Sequence, residues 1–245
     1  MDYPVSTLAF IAVIFILAGT VKGFIGLGLP TVAIGLLTFR IGTPEAVTML
    51  IMPTVITNLW QLVSGPRFVH LIRRFLSLLA CLFIGAFIGV RLLIDGEFAT
   101  VMLGLVLTGY GVLGLTNVQF TVAPRWEARL SPLTGVVTGV LYGSTGLGVT
   151  AVPYVGALGL SKDETIQAMG LIFSVMSLAT ALALAWAGKY HPTVAGTSAM
   201  ALLPAMVGMM IGQRLRDRVS AVVFRRCFFI AIVALGIYTV LHGIR

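Results

Sequence analysis

Apolar positions in this chain run in long blocks and do not alternate with polar ones. Val5 to Val21 and Phe98 to Pro124 contain no charged residue, and the charges elsewhere bunch between uncharged stretches of similar length. A membrane-spanning helix needs about 17 to 25 predominantly apolar residues, so the pattern predicts a bundle of spanning helices. The strands of a transmembrane β-barrel would alternate apolar and polar residues over ~10-residue segments, which this pattern disfavours. Two long blocks are interrupted by glycine clusters, at about 5–41 and 131–160. Six ordinary spans are predicted at about 45–64, 74–93, 98–118, 164–187, 193–213 and 226–243. Eight to ten segments follow, depending on how the interrupted blocks pass through the membrane.

Composition strengthens the membrane reading. Of 245 residues 58% are hydrophobic and 10% charged, and the mean hydropathy is +1.06, well above the roughly half-apolar usage of soluble domains. A soluble enzyme, a disordered chain and a coiled coil are excluded. The net charge of +8 would suggest nucleic acid in a soluble protein, but here the basic residues flank apolar spans and report topology. Cys81 and Cys227 have no metal-ligand spacing and read as buried thiols; no metal and no cofactor is expected. Met1-Asp2-Tyr3-Pro4 lacks the basic start of a signal peptide, so the first apolar run is expected to stay as a helix.

The chain also matches itself. Gly23-Phe24-Ile25-Gly26-Leu27-Gly28 recurs as Gly143-Ser144-Thr145-Gly146-Leu147-Gly148. Each cluster is followed by a helix start with a Thr or Ser cap and an early acid, Thr43-Pro44-Glu45 in one half and Ser161-Lys162-Asp163-Glu164 in the other. Gly85 to Leu92 matches Gly208 to Leu215, and the last two matches are offset by 119 and 123 residues. The halves are 1–120 and 121–245, each a glycine-interrupted segment followed by three spans.

Basic residues decide how the interrupted segments run. If each crosses once, the 15 Lys and Arg outside Lys22 divide 7 to 8 between the two sides. If each is a hairpin that leaves where it entered, Arg67, Arg73, Arg74, Arg125, Arg129, Lys162, Arg214, Arg216, Arg218, Arg225 and Arg226 share one side. Arg40, Arg91, Lys189 and Arg245 share the other, an 11 to 4 split. The positive-inside rule selects the hairpins and makes the richer side cytoplasmic. Both termini then face outward, and Arg91 and its repeat mate Arg214 lie on opposite sides. The expected fold is an all-α integral membrane protein, a polytopic helical bundle of two inverted-topology repeats.

Helices broken at membrane depth leave backbone groups that lipid cannot satisfy, so such breaks occur against protein or a water-filled cavity. Two half-helix N-termini near the midplane would offer N–H donors and positive dipole ends, an anion site. Lys22 is the one formal charge placed well inside the bilayer; at an insertion cost of about 2.5–3.5 kcal/mol it is a functional suspect, with snorkelling from a short half-helix as the alternative. Gly85/Gly89 and Gly208/Gly212 read as packing glycines. Gly23, Gly26, Gly28, Gly143, Gly146 and Gly148 read as binding loops, with Phe24 inside the first. Tyr142, Ser144, Thr145 and Thr150 border the second, where a structural role competes for each. Asn58 and Gln61 share a helix face that lines a cavity or joins helices; Pro53 and Pro153 mark kinks or half-helix ends.

All eight acids fall at predicted segment ends or loops, which leaves no buried carboxylate as a proton relay. His70, His191 and His242 lie near segment ends. No H-E-x-x-H, no G-x-S-x-G and no acid pair at membrane depth is present, so no enzyme is expected and no catalytic residue is assigned.

Lys22-Gly23-Phe24-Ile25-Gly26-Leu27-Gly28 and the second glycine cluster, with the chain's length and duplicated layout, resemble the sulfite exporter TauE/SafE family of small bacterial membrane transporters. The likeness covers nearly the whole chain; Leu29-Pro30 stand where the family's pattern commonly has further glycines. It implies transport of a sulfur-containing or organic anion, such as sulfite, a sulfonate or a sulfonated carboxylate, across the bacterial cytoplasmic (inner) membrane, often as export. The expected site lies between the two breaks, with backbone N–H groups, Lys22, Ser144 and Thr145 as ligands. The expected partners are the small anion and the lipid bilayer, with no nucleic acid, and a homo-oligomer is left open. A non-transporting membrane assembly or accessory protein, its glycines serving only close packing, is the alternative.

Overall fold

A computed structural model describes residues 4–25, 28–63, 65, 67–94, 96–116, 121–189, 196, 198–216, 218 and 220–243. The described residues form helices and no strand. In chain order these are α1 (Val5–Ile25), α2 (Leu29–Ile41), α3 (Thr43–Val63), α4 (Phe68–Ile94), α5 (Gly96–Leu115), α6 (Pro124–Thr145), α7 (Ala151–Gly156), α8 (Lys162–Trp186), α9 (Leu202–Arg216) and α10 (Ala221–Gly243). Among the described residues six stretches are long and apolar enough to cross a membrane: Val5–Phe24, Thr43–Val63, Phe68–Ile94, Phe98–Leu115, Asp163–Trp186 and Ser198–Leu215. The protein is an all-α polytopic membrane protein.

Both interruptions fall at the glycine clusters. The starts of α4 and α6 differ from the apolar windows. α4 begins at Phe68 and α6 at Pro124, six and seven residues before the expected spans, because charge at their starts is paired. Arg74 Nε and a guanidinium N–H donate to the two carboxylate oxygens of Glu127 over 2.7 and 2.9 Å, a bidentate bond of the stronger kind. Ser161 makes the expected capping box with Glu164. Thr43 does not cap: it lies inside α3, and its hydroxyl pairs with Thr100 over 2.9 Å. Gly42, at φ 80°, occupies the turn before it.

The helices cluster into two compact units, Met1–Pro53 with Asp95–Asn117 and Tyr190–Arg245, and Thr54–Ile94 with Val118–Lys189. Each draws on both halves of the sequence, and α3 passes from one to the other after Pro53.

In the first unit α1 packs on α9, glycine against backbone. A Cβ on Gly208 or Gly212 would strike the carbonyl oxygen of Ile16 or Thr20, and one on Gly19 or Gly23 that of Ala205 or Met209. In the second unit α4 packs on α6 in the same way. Gly85 and Gly89 face Val136 O and Val140 O, while Gly139 and Gly143 face Leu82 O and Ala86 O. The two sets of contacts correspond at the offsets of the sequence match. Val136 and Val140 lie 120 positions after Ile16 and Thr20, and Ala205 and Met209 lie 123 after Leu82 and Ala86. Each broken helix therefore packs on the G-x-x-x-G helix of the other half, at the close approach that small residues permit.

Each interrupted segment turns back. The Arg40 guanidinium, in the last turn of α2, donates to the Ser6 hydroxyl over 3.1 Å and lies over the Phe10 ring, both at the start of α1. After the second break, Thr150 pairs with Thr138 over 2.7 Å and Tyr154 with Ser131 over 2.8 Å. The Val122 N–H then donates to Ala157 O over 2.9 Å, which returns the chain to the start of α6. The returning helices α2 and α7 have 13 and 6 residues. At 1.5 Å per residue they measure about 20 and 9 Å, short of the roughly 30 Å hydrocarbon core.

Candidate functional site

The first break lies in the first unit. Lys22 sits in the last turn of α1, where the helix dipole favours a cation, and its side chain is 6% exposed. Among the described residues it is the only charged side chain that is buried. Phe24, one turn from the break, is buried and stacks on Phe224 of α10 at 3.8 Å between ring centroids. Gly28 opens α2 at φ 100° with no side-chain cap, a left-handed conformation that favours glycine. Pro30 follows in the first turn, where its fixed φ suits a helix start. Gly26 lies outside the described residues. Gly23, with its Cα against Met209, has a packing reason of its own.

The second break lies in the second unit. Gly146, at φ 72°, ends α6, and its N–H donates to Tyr142 O over 2.7 Å. The Thr145 hydroxyl donates to Leu141 O over 2.6 Å and accepts from the Leu147 N–H at 3.2 Å. Ser144 also donates to Leu141 O, at 3.2 Å. Both hydroxyls are thus engaged in shaping the turn, the local bonding that competes with helix backbone. Gly148 passes under α8: a Cβ there would meet the side chains of Phe173 and Met176 at 2.7 Å. Gly143 backs onto Ala86 O, so packing accounts for it too.

Tyr142 points into the protein. Its hydroxyl pairs with Ser177 of α8 over 2.8 Å, the Phe173 ring stands edge-on at 6.5 Å between centroids, and Thr54 of α3 lies near the same hydroxyl. Three helices converge here on a small polar cluster just before the break. Asn58 and Gln61 lie farther along α3. Asn58 is buried and Gln61 half-buried, and a Cβ on Gly170 would press on Asn58 O and Gln61 Cβ at 2.9 and 3.0 Å. The α3–α8 seam is therefore tight at these two residues. Gln167 closes it by donating to Leu62 O and Gly65 O over 2.9 and 2.7 Å and accepting from the Arg67 N–H at 3.0 Å.

The structure thus brings Tyr142 together with Thr54 and Ser177 and turns Ser144 and Thr145 toward backbone. Sequence reading missed Thr54, Ser177 and Gln167. Single hydroxyls and one amide on apolar helices form no motif, and the only available signal was the rarity of polar groups in α3 and α8.

The family model for "Sulfite exporter TauE/SafE" matches residues 11–239. No curated protein and no solved structure matches the chain. The matched residues run from within α1 to within α10 and contain both glycine breaks, Lys22 and the Tyr142 cluster, and so the chain belongs to the sulfite exporter TauE/SafE family.

Proposed function

We propose that this protein is a secondary transporter that carries a small sulfur-containing or organic anion, such as sulfite, a sulfonate or a sulfonated carboxylate, outward across the cytoplasmic membrane, and that the residues of its two glycine breaks serve that anion. Family membership supplies the coarser reading, a multi-pass membrane transporter of anions. The observation that carries the finer one is Lys22, a buried cation in the last turn of the first broken helix. A lysine in an apolar span costs about 2.5–3.5 kcal/mol at the bilayer centre, and a passing anion offsets that cost.

Orientation follows from charge. In the second unit the Arg67–Glu164 and Arg74–Glu127 pairs gather the starts of α4, α6 and α8 at one end. Arg73, Arg125, Arg129 and Lys162 belong to those same starts. The positive-inside rule makes that end cytoplasmic, with both termini outside and the two repeats in inverted topology. Among the described residues no Asp or Glu is buried, which favours driving by the anion's own gradient and the membrane potential. Export of one negative charge from a negative-inside compartment gains about 2.3 kcal/mol per 100 mV. Proton cotransport through Lys22 or the substrate is the other route.

The test is flux in proteoliposomes at imposed potentials with sulfite, thiosulfate, sulfoacetate, taurine and simple carboxylates. Saturable flux of one anion class, weakened by Lys22→Ala, is expected. No flux from folded, oriented protein would turn the reading toward an accessory role, and flux unchanged by Lys22→Ala would remove Lys22 from the site.

A further inference from the structure

Hydroxyls in apolar helices normally donate to the carbonyl four residues back, which keeps them satisfied without a tertiary partner. Among the described residues that do so are Thr20 to Ile16 O, Thr38 to Ile34 O, Thr108 to Gly104 O and Thr239 to Leu235 O, each over 2.8 Å, and Ser174 to Gly170 O over 2.7 Å. Others, such as Thr138 with Thr150, pair with a side chain instead, and two buried threonines do neither. Thr54 and Thr180 are 1% and 0% exposed, and neither hydroxyl oxygen has a hydrogen-bond partner. An unmade hydrogen bond on a buried hydroxyl is costly, so two of them in one unit require a reason.

Their positions supply one. Thr54 lies beside the Tyr142 hydroxyl. Thr180 stands three residues after Ser177 on α8, hence on the same helix face, and Ser177 is the hydroxyl that pairs with Tyr142. α3, α6 and α8 thus bring three hydroxyls together immediately before the turn at Gly146, with Thr180 on the same face of α8 one turn on from Ser177.

We propose that Thr54, Ser177 and Thr180 join Tyr142 as a lining that donates hydrogen bonds to the oxygens of the transported anion. This rests on the transport reading above and names a substrate class: an anion with several acceptor oxygens, a sulfite or sulfonate head, in preference to a halide. Hydroxyls arriving from three helices address several acceptors at once. Bonds to an ionised acceptor are roughly twice as strong as neutral ones, yet the lining carries no formal charge and releases what it binds. The Tyr142–Ser177 pair adds adaptability, since either oxygen can be the donor.

The experiment is a titration of the full-length protein in detergent, followed by thermal stabilisation, with sulfite, sulfoacetate and chloride. It compares wild type with Thr54→Val, Thr180→Val and, as a control one turn away with its hydroxyl bonded to its own helix, Ser174→Ala. The expected result is a Kd for the sulfur oxyanion raised at least tenfold in each valine variant and unchanged in the control. The Tm of the ligand-free valine variants is expected to be unchanged or higher, because removing an unsatisfied hydroxyl leaves no partner stranded. Wild-type binding with both valine variants within twofold in Kd overturns this lining and leaves the transport reading intact. A fall of several degrees in ligand-free Tm also overturns it, by showing the hydroxyls to be structural. Absence of binding together with absence of flux in wild type overturns the transport reading, and the lining with it.

Discussion

The Ser198 hydroxyl donates to the carbonyl oxygen of Met49 over 2.7 Å, the acceptor that Pro53, four residues on in α3, cannot use for want of an N–H. The same hydroxyl oxygen accepts from the Met52 N–H at 3.1 Å. One buried serine, 149 residues away in sequence, therefore repairs the gap that proline opens in a spanning helix, as membrane-embedded breaks require. Ser198→Ala strands one donor and one acceptor in the core and is expected to cost about 1–3 kcal/mol of stability, read by reversible unfolding in detergent. Pro53→Ala restores an N–H for Met49, so the penalty of Ser198→Ala is expected to shrink in that background. An additive double-mutant cycle would show that the serine does not serve the proline gap.

The two glycine seams are expected to fail in parallel. Gly89→Ala drives a methyl into Val140 O, and Gly212→Ala drives one into Thr20 O; in both cases the obstacle is backbone, which cannot rotate away. Overpacking of this kind typically costs about 1–3 kcal/mol or more. Gly109→Ala in α5 meets nothing within 4 Å and is expected to be neutral or to stabilise by about 0.5–1 kcal/mol through helix propensity. Comparing the Tm of the three variants checks the assignment. Equal effects would mean that neither seam depends on close backbone approach.

The spans and both breaks were legible because their signals are local: uninterrupted apolar length, and glycine clusters holding Gly28 and Gly146 in left-handed conformations. The basic residues led to the expectation of hairpins, and the Arg40–Ser6 bond agrees with the first of them. The pairing of helices was not legible. The self-match shows which segments are equivalent, but that α1 packs on α9 and α4 on α6 is a tertiary choice made by glycine faces far apart in sequence. At the site, Tyr142 could be named because it adjoins a glycine cluster. Ser144 and Thr145 could be named for the same reason, yet adjacency says nothing of where a hydroxyl points, and theirs point to Leu141 O. Thr54 and Thr180 carry information only in a bond they do not make, which no sequence pattern displays.

Gln167 is expected to be the most sensitive polar residue of the second unit. It holds three backbone groups at the α3–α4 turn, and its side chain is buried. Gln167→Ala leaves those groups without that partner, at about 2–3 kcal/mol for three bonds of 0.5–1.5 kcal/mol each with partial rescue by water. Gln167→Glu is isosteric but faces a carboxylate toward two carbonyl oxygens, and is expected to be worse than alanine at neutral pH. The neighbouring Arg67–Glu164 pair, at 2.6 Å with Arg67 60% exposed, is a surface bridge of little weight. Arg67→Met is accordingly expected to shift the Tm far less than either glutamine variant.

The first hairpin and the orientation of the chain can be tested in one labelling experiment. Ser6 and Arg40 meet across the hairpin and both are exposed, whereas Arg67 lies exposed just beyond the opposite end of the 21-residue α3. With Cys81 and Cys227 replaced by alanine, single cysteines at the three positions are exposed to a membrane-impermeant maleimide in right-side-out and inside-out vesicles. Cysteines at 6 and 40 are expected to react from the outer face and a cysteine at 67 from the cytoplasmic face. Labelling of 6 and 40 from opposite faces would mean that the interrupted segment crosses the membrane, against the Arg40–Ser6 contact. Labelling with all three faces exchanged would leave the hairpin standing and overturn the orientation drawn from the basic residues. Outward movement of an anion would still run down the negative-inside membrane potential, so the orientation of the chain would change and the proposed direction of transport would not.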